Sequence, residues 1–204
     1  MAKSRKAYFT EVFHPRKLVV PSVSLLQWQN DRMPRLQQFD LQCAASLVAA
    51  PPNVHLIEEN LRGYVVLLSA HFQGFCRDLY TEAAQVIASK VRPSLGALIQ
   101  DQFTAHRKLE RGNPNLQHLK EDFNRFGFSL DLAADPANVP RLIRLSELNK
   151  WRNVAAHQGT TPPAGIPLNL PSLQAWRDSC DGLANALDDI MYNRLRRILR
   201  RAPW

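Results

Sequence analysis

The stretch from Asn53 to Val91 constrains this chain more than any other feature. Leu61, Val65, Leu68, Phe72, Phe75 and Leu79, then Ala83 and Val86, recur at steps of four and three. Residues at that spacing stack on one face of an α-helix and form a single apolar stripe. At ~1.5 Å per residue the stretch makes a rod of roughly 58 Å, and a bend is expected at Gly63 or Gly74. A rod with one wet stripe is not stable alone. Neighbouring helices must cover it, which points to an antiparallel bundle.

The flanking sequence supplies those helices. From Ser22 to Ala50 the pattern is helical, carried by Leu25, Leu26, Trp28, Leu36, Leu41, Leu47 and Val48, and Pro34 is expected to bend or split it. Pro51-Pro52 ends that run, and Asn53 fits an N-cap for the long helix. Between Ser94 and Asp135 the runs are shorter, Leu95–Leu109 and Leu116–Phe126, broken by Gly112-Asn113-Pro114 and Gly127. A further helix is expected over Val139–Gln158, with Pro140 at its first position and Gly159 as its stop. After a loop holding Pro162, Pro163, Pro167 and Pro171, the spacing returns in Leu173, Trp176, Cys180, Leu183, Leu187 and Ile190. No useful segment alternates with the strand period. The expectation is an all-α, up-and-down helical bundle of five or six helices around one long central helix. It occupies residues 22–204, after a basic arm at 1–21 that could be extended or form a short strand.

Charge and cysteine content narrow the context. Lys and Arg number 26 against 18 Asp and Glu, a net charge of +8 that favours polyanionic partners, either nucleic acid or an anionic membrane surface. Cys43, Cys76 and Cys180 are far apart and odd in number, so they form neither a disulfide framework nor a Cys-x-x-Cys pair. Each sits in an apolar stretch and reads as a small buried hydrophobe in a reducing compartment. The basic start lacks the unbroken apolar core of a signal peptide, and no segment approaches the roughly 18 apolar residues of a membrane span. A soluble, cytoplasmic protein is expected.

Familiar catalytic motifs are absent: the sequence has no phosphate-binding Gly-x-x-x-x-Gly-Lys-Ser/Thr, no His-Glu-x-x-His and no Gly-x-Ser-x-Gly. His118 and Asp122 lie one helical turn apart beside Glu121, but such pairs are common on charged surfaces, and neither a metal nor a cofactor is expected. One segment stands apart, Leu148-Asn149-Lys150-Trp151-Arg152-Asn153-Val154-Ala155-Ala156-His157-Gln158-Gly159. Asn153 and His157 are four apart and share a face. Arg152 lies ~140° around the axis from His157, within reach only through its long side chain. An imidazole that relays protons beside a guanidinium that holds phosphoryl oxygens suits cleavage of a phosphodiester. The plainer alternative makes Arg152 a solvated residue and His157 a cap for the last carbonyls. Trp151 beside Lys150 could stack on an RNA base or belong to the core. The Arg194, Arg196, Arg197, Arg200 and Arg201 run, with Lys3, Arg5, Lys6, Arg16 and Lys17, could hold phosphates or simply solubilise the chain.

Arg152-Asn153, three residues, then His157 at the end of a late helix resembles the Arg-polar-x-x-x-His signature of the HEPN superfamily. The stretch Leu67-Leu68-Ser69-Ala70-His71-Phe72-Gln73-Gly74-Phe75 is similar to the aromatic, acidic, Gly, aromatic patch on the long helix of its RiboL-PSP-type group. Gln73 departs from that pattern, standing where many relatives carry a carboxylate. The resemblance covers about half of the chain, from the long helix to the end. It implies a HEPN-like bundle that forms a two-fold homodimer and joins two Arg/His motifs in one cleft. It further implies a metal-independent endoribonuclease that acts as a toxin or anti-phage effector on RNA such as tRNA, beside an antitoxin or defence-system partner protein. Arg152 and His157 would be the catalytic pair and Asn153 the residue that orients them. By their spacing on the long helix, His71 and Gln73 could face the same cleft as auxiliaries, or His71 could be a polar residue merely exposed beside the seam. Lys150, Trp151, Arg194 and Arg197 are the candidate RNA contacts. The alternatives are a catalytically inactive module that binds a protein partner or nucleotide, and a basic nucleic-acid-binding regulator.

Overall fold

A computed structural model describes residues 20–51, 53–157 and 161–204. Nearly all of the expected basic arm, and the expected stop at Gly159, lie outside the described residues. Seven α-helices are present, with no β-strand among the described residues. They are α1 (Val23–Gln27), α2 (Met33–Val48), α3 (Val54–Ala88), α4 (Pro93–Thr104), α5 (Leu116–Phe123), α6 (Asn138–Ala156) and α7 (Leu170–Leu199). Because α1 runs into α2 through a π-helical turn at Trp28–Arg32, the bundle has six helical rods. The expected all-α bundle with one long central helix is the observed architecture.

The expected break near Pro34 takes a specific form. Pro34 has no N–H to give to the carbonyl four residues back, and its ring crowds that carbonyl. The turn ahead of it widens, and the N–H of Met33 bonds instead to Trp28 O, five residues back. The helix is re-phased rather than ended.

Helix α3 begins where Asn53 accepts the N–H of Leu56 on its side chain at 3.0 Å, as the sequence suggests. Its 35 residues run through both Gly63 and Gly74 without a break in helical bonding. Gly74 serves a close approach. A Cβ there would stand 2.7 Å from Arg32 Nη1, and the Arg32 guanidinium crosses at this point to donate to His71 O at 2.9 Å and pair with Asp78.

The seam on α3 is the core. Val65, Leu68, Phe72, Phe75, Leu79 and Ala83 are fully buried, and Trp28 packs on Phe72 and Phe75 with ring centres 6.0 and 5.7 Å apart. Aromatic pairs of this kind add ~0.5–1.5 kcal/mol beyond the area they bury. A second aromatic cluster closes the far end of α3, where Tyr80 meets Phe103, Phe123 and Phe126. Cys43, Cys76 and Cys180 are free and buried, and burial pushes all three thiols up. They act as small core hydrophobes, as expected. No helix is long and apolar enough to cross a membrane among the described residues.

Helices α6 and α7 lie antiparallel. Trp176 donates to Glu147 at 3.0 Å, and further along the pair the Arg141 side chain lies over Gly182. This places the C-terminal end of α6, with the Arg152–His157 segment, beside the N-terminal end of α7.

Candidate active site

The last turns of α6 carry Lys150, Arg152, Asn153 and His157. Asn153 and His157 are exposed, and Arg152 is half-buried. His157 is the C-cap, with its backbone N–H on Asn153 O at 3.2 Å, so the imidazole departs from the helix at its last closed turn. Among the described residues neither the Arg152 guanidinium nor the His157 ring has a hydrogen bond or ion pair to protein. From Leu148 to Arg177 the sequence contains no Asp or Glu. A guanidinium and an imidazole thus share one helix end with no carboxylate from the same segment, and the nearby acidic groups come from α3, where Glu59 lines a groove with Ala155 and Glu58 one with Trp151.

Asn153 is held from outside α6. Asn113 Nδ2 donates to Asn153 Oδ1 at 2.7 Å, and one turn earlier Asn149 Nδ2 donates to Pro114 O at 3.3 Å. Both contacts come from the segment between α4 and α5, which crosses the bundle as a strap. The strap is well anchored. The Asp122 carboxylate accepts the N–H groups of Lys108 and Leu109, both at 2.9 Å, and so caps a 3₁₀ turn at Lys108–Glu110. Gln73 Nε2 donates to Leu109 O at 2.6 Å, and Asn115 caps α5 by accepting the N–H of His118 at 2.8 Å. His118 places Nδ1 2.8 Å from Asn113 O. Gly112 leaves room for that ring, since a Cβ there would stand 2.5 Å from His118 Cε1.

Asp122 is buried with both oxygens committed to backbone N–H groups, and His118 is turned to the strap, so these two side chains brace it. Gln73 and His71 do not face one cleft. They are two residues apart on α3, ~200° around its axis. Gln73 reaches the strap. His71 is half-buried on the α2 side, where burial and the Arg32 and Arg35 charges push its pKa down. Gln73 is connected to the motif through Leu109 and the strap, by way of Asn113 and Asn153.

The expected RNA contacts also divide. Trp151 is only 4% exposed and its indole N–H donates to Ile166 O at 3.0 Å, so it belongs to the core and offers no stacking face. Lys150 is exposed beside the motif. Arg194 donates to Phe126 O at 2.9 Å and Gly127 O at 2.8 Å and lies over the Phe128 ring, clamping the turn after α5. Arg196, Arg197 and Arg200, with Asn193, line a polar hollow of about 400 Å³ at the C-terminal end of α7. That end lies ~37 Å along α7 from the turn beside Arg152. Within one chain the arginine cluster and the Arg152–His157 segment are therefore separate surfaces. Lys3, Arg5, Lys6, Arg16 and Lys17 lie outside the described residues.

Sequence reasoning passed over Asn113, Pro114, Asn115, His118 and Asn149 as parts of this site. The one available signal was Asn149, which precedes Asn153 by four residues and so shares its face. The chain matches no family model, no curated protein and no solved structure.

Proposed function

We propose that the protein is a metal-independent endoribonuclease of the HEPN type, acting as a toxin or anti-phage effector on RNA such as tRNA. The observation that carries this reading is the end of α6. There Arg152 and His157 stand without protein partners among the described residues, on either side of an Asn153 anchored by Asn113. In the proposed reaction the imidazole takes the proton from a ribose 2′-hydroxyl as that oxygen attacks the adjacent phosphorus. The guanidinium holds the charge that builds on the phosphoryl oxygens, and the 5′-oxygen leaves with a proton from a second acid. One chain offers one such imidazole at this site. A second copy related by two-fold symmetry supplies the other, and the proposed unit is therefore a homodimer.

The test is chemical. Purified full-length protein incubated with RNA in EDTA should yield fragments ending in 2′,3′-cyclic phosphate, and an oligonucleotide with 2′-deoxyribose throughout should stay whole. Cleavage of the deoxy strand at the same rate would rule out attack by the 2′-oxygen.

A second reading rests on a different observation. Phe39, Val66, Leu67 and Ala70 form an apolar groove of about 740 Å³ with Ala155 of α6, edged by Glu59 and Arg62. A groove of this kind suits a module that binds a partner protein without cutting RNA. Expression in cells separates the two readings, since the nuclease arrests growth and the inert module does not.

A further inference from the structure

A second groove, of about 420 Å³, lies between α5 and α6 on the same stripe of α6 that ends in Asn153. Its polar lining is Asn115, Gln117, Ser146, Asn149, Lys150 and Asn153, and no carboxylate lines it. We propose that this groove binds one unpaired nucleobase of the RNA beside the cleaved phosphate and reads its edge through amide side chains. The inference rests on the reading above that the substrate is RNA.

Four observations support it. The groove falls at the lower end of the roughly 300–1,000 Å³ of small-molecule sites, enough for a base and its sugar but not for a packed helix. Its walls include Leu116, Leu142 and Leu145, apolar surface against which the face of a ring can rest. Asn115 is committed to His118, and Gln117 donates to Glu121 at 2.9 Å, so the groups left to match a base edge are the Gln117 carbonyl and the Asn153 NH₂. Lys150 adds a single cation to the lining, suited to one phosphate rather than a long anionic track.

The arrangement of the two asparagines on α6 gives the groove a direction. Asn149 is 8% exposed, its NH₂ donates to Pro114 O, and its Oδ1 is buried with no donor. Buried acceptors are seldom left this way in folded proteins. One turn on, Asn153 has its Oδ1 taken by Asn113, which leaves its NH₂ as a donor. The groove thus presents the Asn153 NH₂ as a donor, with the Asn149 Oδ1 as a buried acceptor one turn before it, and the same strap fixes both. The strap therefore links the base subsite to Arg152 and His157.

The experiment uses full-length protein carrying His157→Ala, so that bound RNA stays intact, and measures its affinity for four 12-nucleotide RNA homopolymers at one salt concentration. One homopolymer should bind more tightly than the others by roughly 5- to 150-fold, the range for a well-paired base edge. Adding Ser146→Phe, an exposed position whose new ring fills the groove, should reduce that preference to within about threefold while the weaker homopolymers bind as before. Gln117→Ala should lower the preference in part. Equal binding of all four homopolymers, or a preference that survives Ser146→Phe, overturns the proposal. Binding of none overturns it too and leaves the groove to a protein partner. Cleavage by the parent without base preference would end this proposal and keep the nuclease. Base-selective binding by a parent that cuts nothing would end the nuclease and keep the subsite.

Discussion

Asn113 and Asn153, forty residues apart in sequence, meet side chain to side chain at 2.7 Å. The bond joins the strap between α4 and α5 to the turn of α6 that separates Arg152 from His157. Asn153, the proposed orienting residue of the motif, thus has its own side chain held by a loop. Asn113→Ala should leave the helical circular dichroism spectrum and Tm nearly unchanged, because the contact is exposed and worth only ~0.5–1.5 kcal/mol. It should lower kcat for RNA cleavage about tenfold while KM stays within about twofold, since misplacement of catalytic groups acts on rate. A parallel loss of Tm and activity would make the contact purely structural.

Trp151 tests whether the residue beside Arg152 serves the core or the RNA. Trp151→Phe removes the bond to Ile166 O but keeps a large ring, and should cost about 1 kcal/mol. Trp151→Ala should cost ~3–5 kcal/mol by opening a cavity. RNA affinity of the folded Trp151→Phe protein should match the parent. A marked loss of affinity with stability kept would return Trp151 to the binding surface.

The sequence made the framework legible and the strap opaque, for a physical reason. The α3 seam announces itself because burial against neighbours demands a repeat of three and four, and Asn53 announces the helix start because caps are local. Pro34 signalled a disturbance but not the π turn that absorbs it, since that choice depends on what Trp28 packs against. The strap has no period to read. Its anchors join Gln73 to Leu109, Asp122 to Lys108 and Asn113 to Asn153, each bond fixed by tertiary approach. Trp151 was ambiguous for a related reason, because only the proline-rich loop, through Ile166, decides where its indole goes.

The arginines near the C-terminus should separate by role. Arg194→Ala should destabilise the fold by about 1–2 kcal/mol through the lost bonds to Phe126 and Gly127, with RNA affinity unchanged. Replacing exposed Arg196 and Arg200 together should leave stability alone and weaken RNA binding evenly across sequences. The slope of log affinity against log salt should fall by about one per lost phosphate contact. An unchanged slope would remove this cluster from the RNA-binding surface.

His71 sets a dependence of stability on pH. Burial and the Arg32 and Arg35 charges hold its folded-state pKa below the ordinary histidine value, so the unfolded chain binds the proton more readily. Its contribution is present above the unfolded pKa of about 6.5 and is lost as pH falls through the lower folded value. Tm should therefore drop between pH ~7.5 and ~5, and less so in His71→Gln. An identical drop in both proteins would show that His71 does not carry the effect.

The central claim is that Arg152 and His157 together break the RNA strand, and single-turnover cleavage of an end-labelled RNA in EDTA tests it most directly. Parent, Arg152→Ala and His157→Ala proteins should share one Tm and one helical spectrum, since neither side chain holds the fold among the described residues. Each variant should cut ~10²–10⁴-fold more slowly than the parent. Cleavage by both variants at the parent's rate would contradict the account.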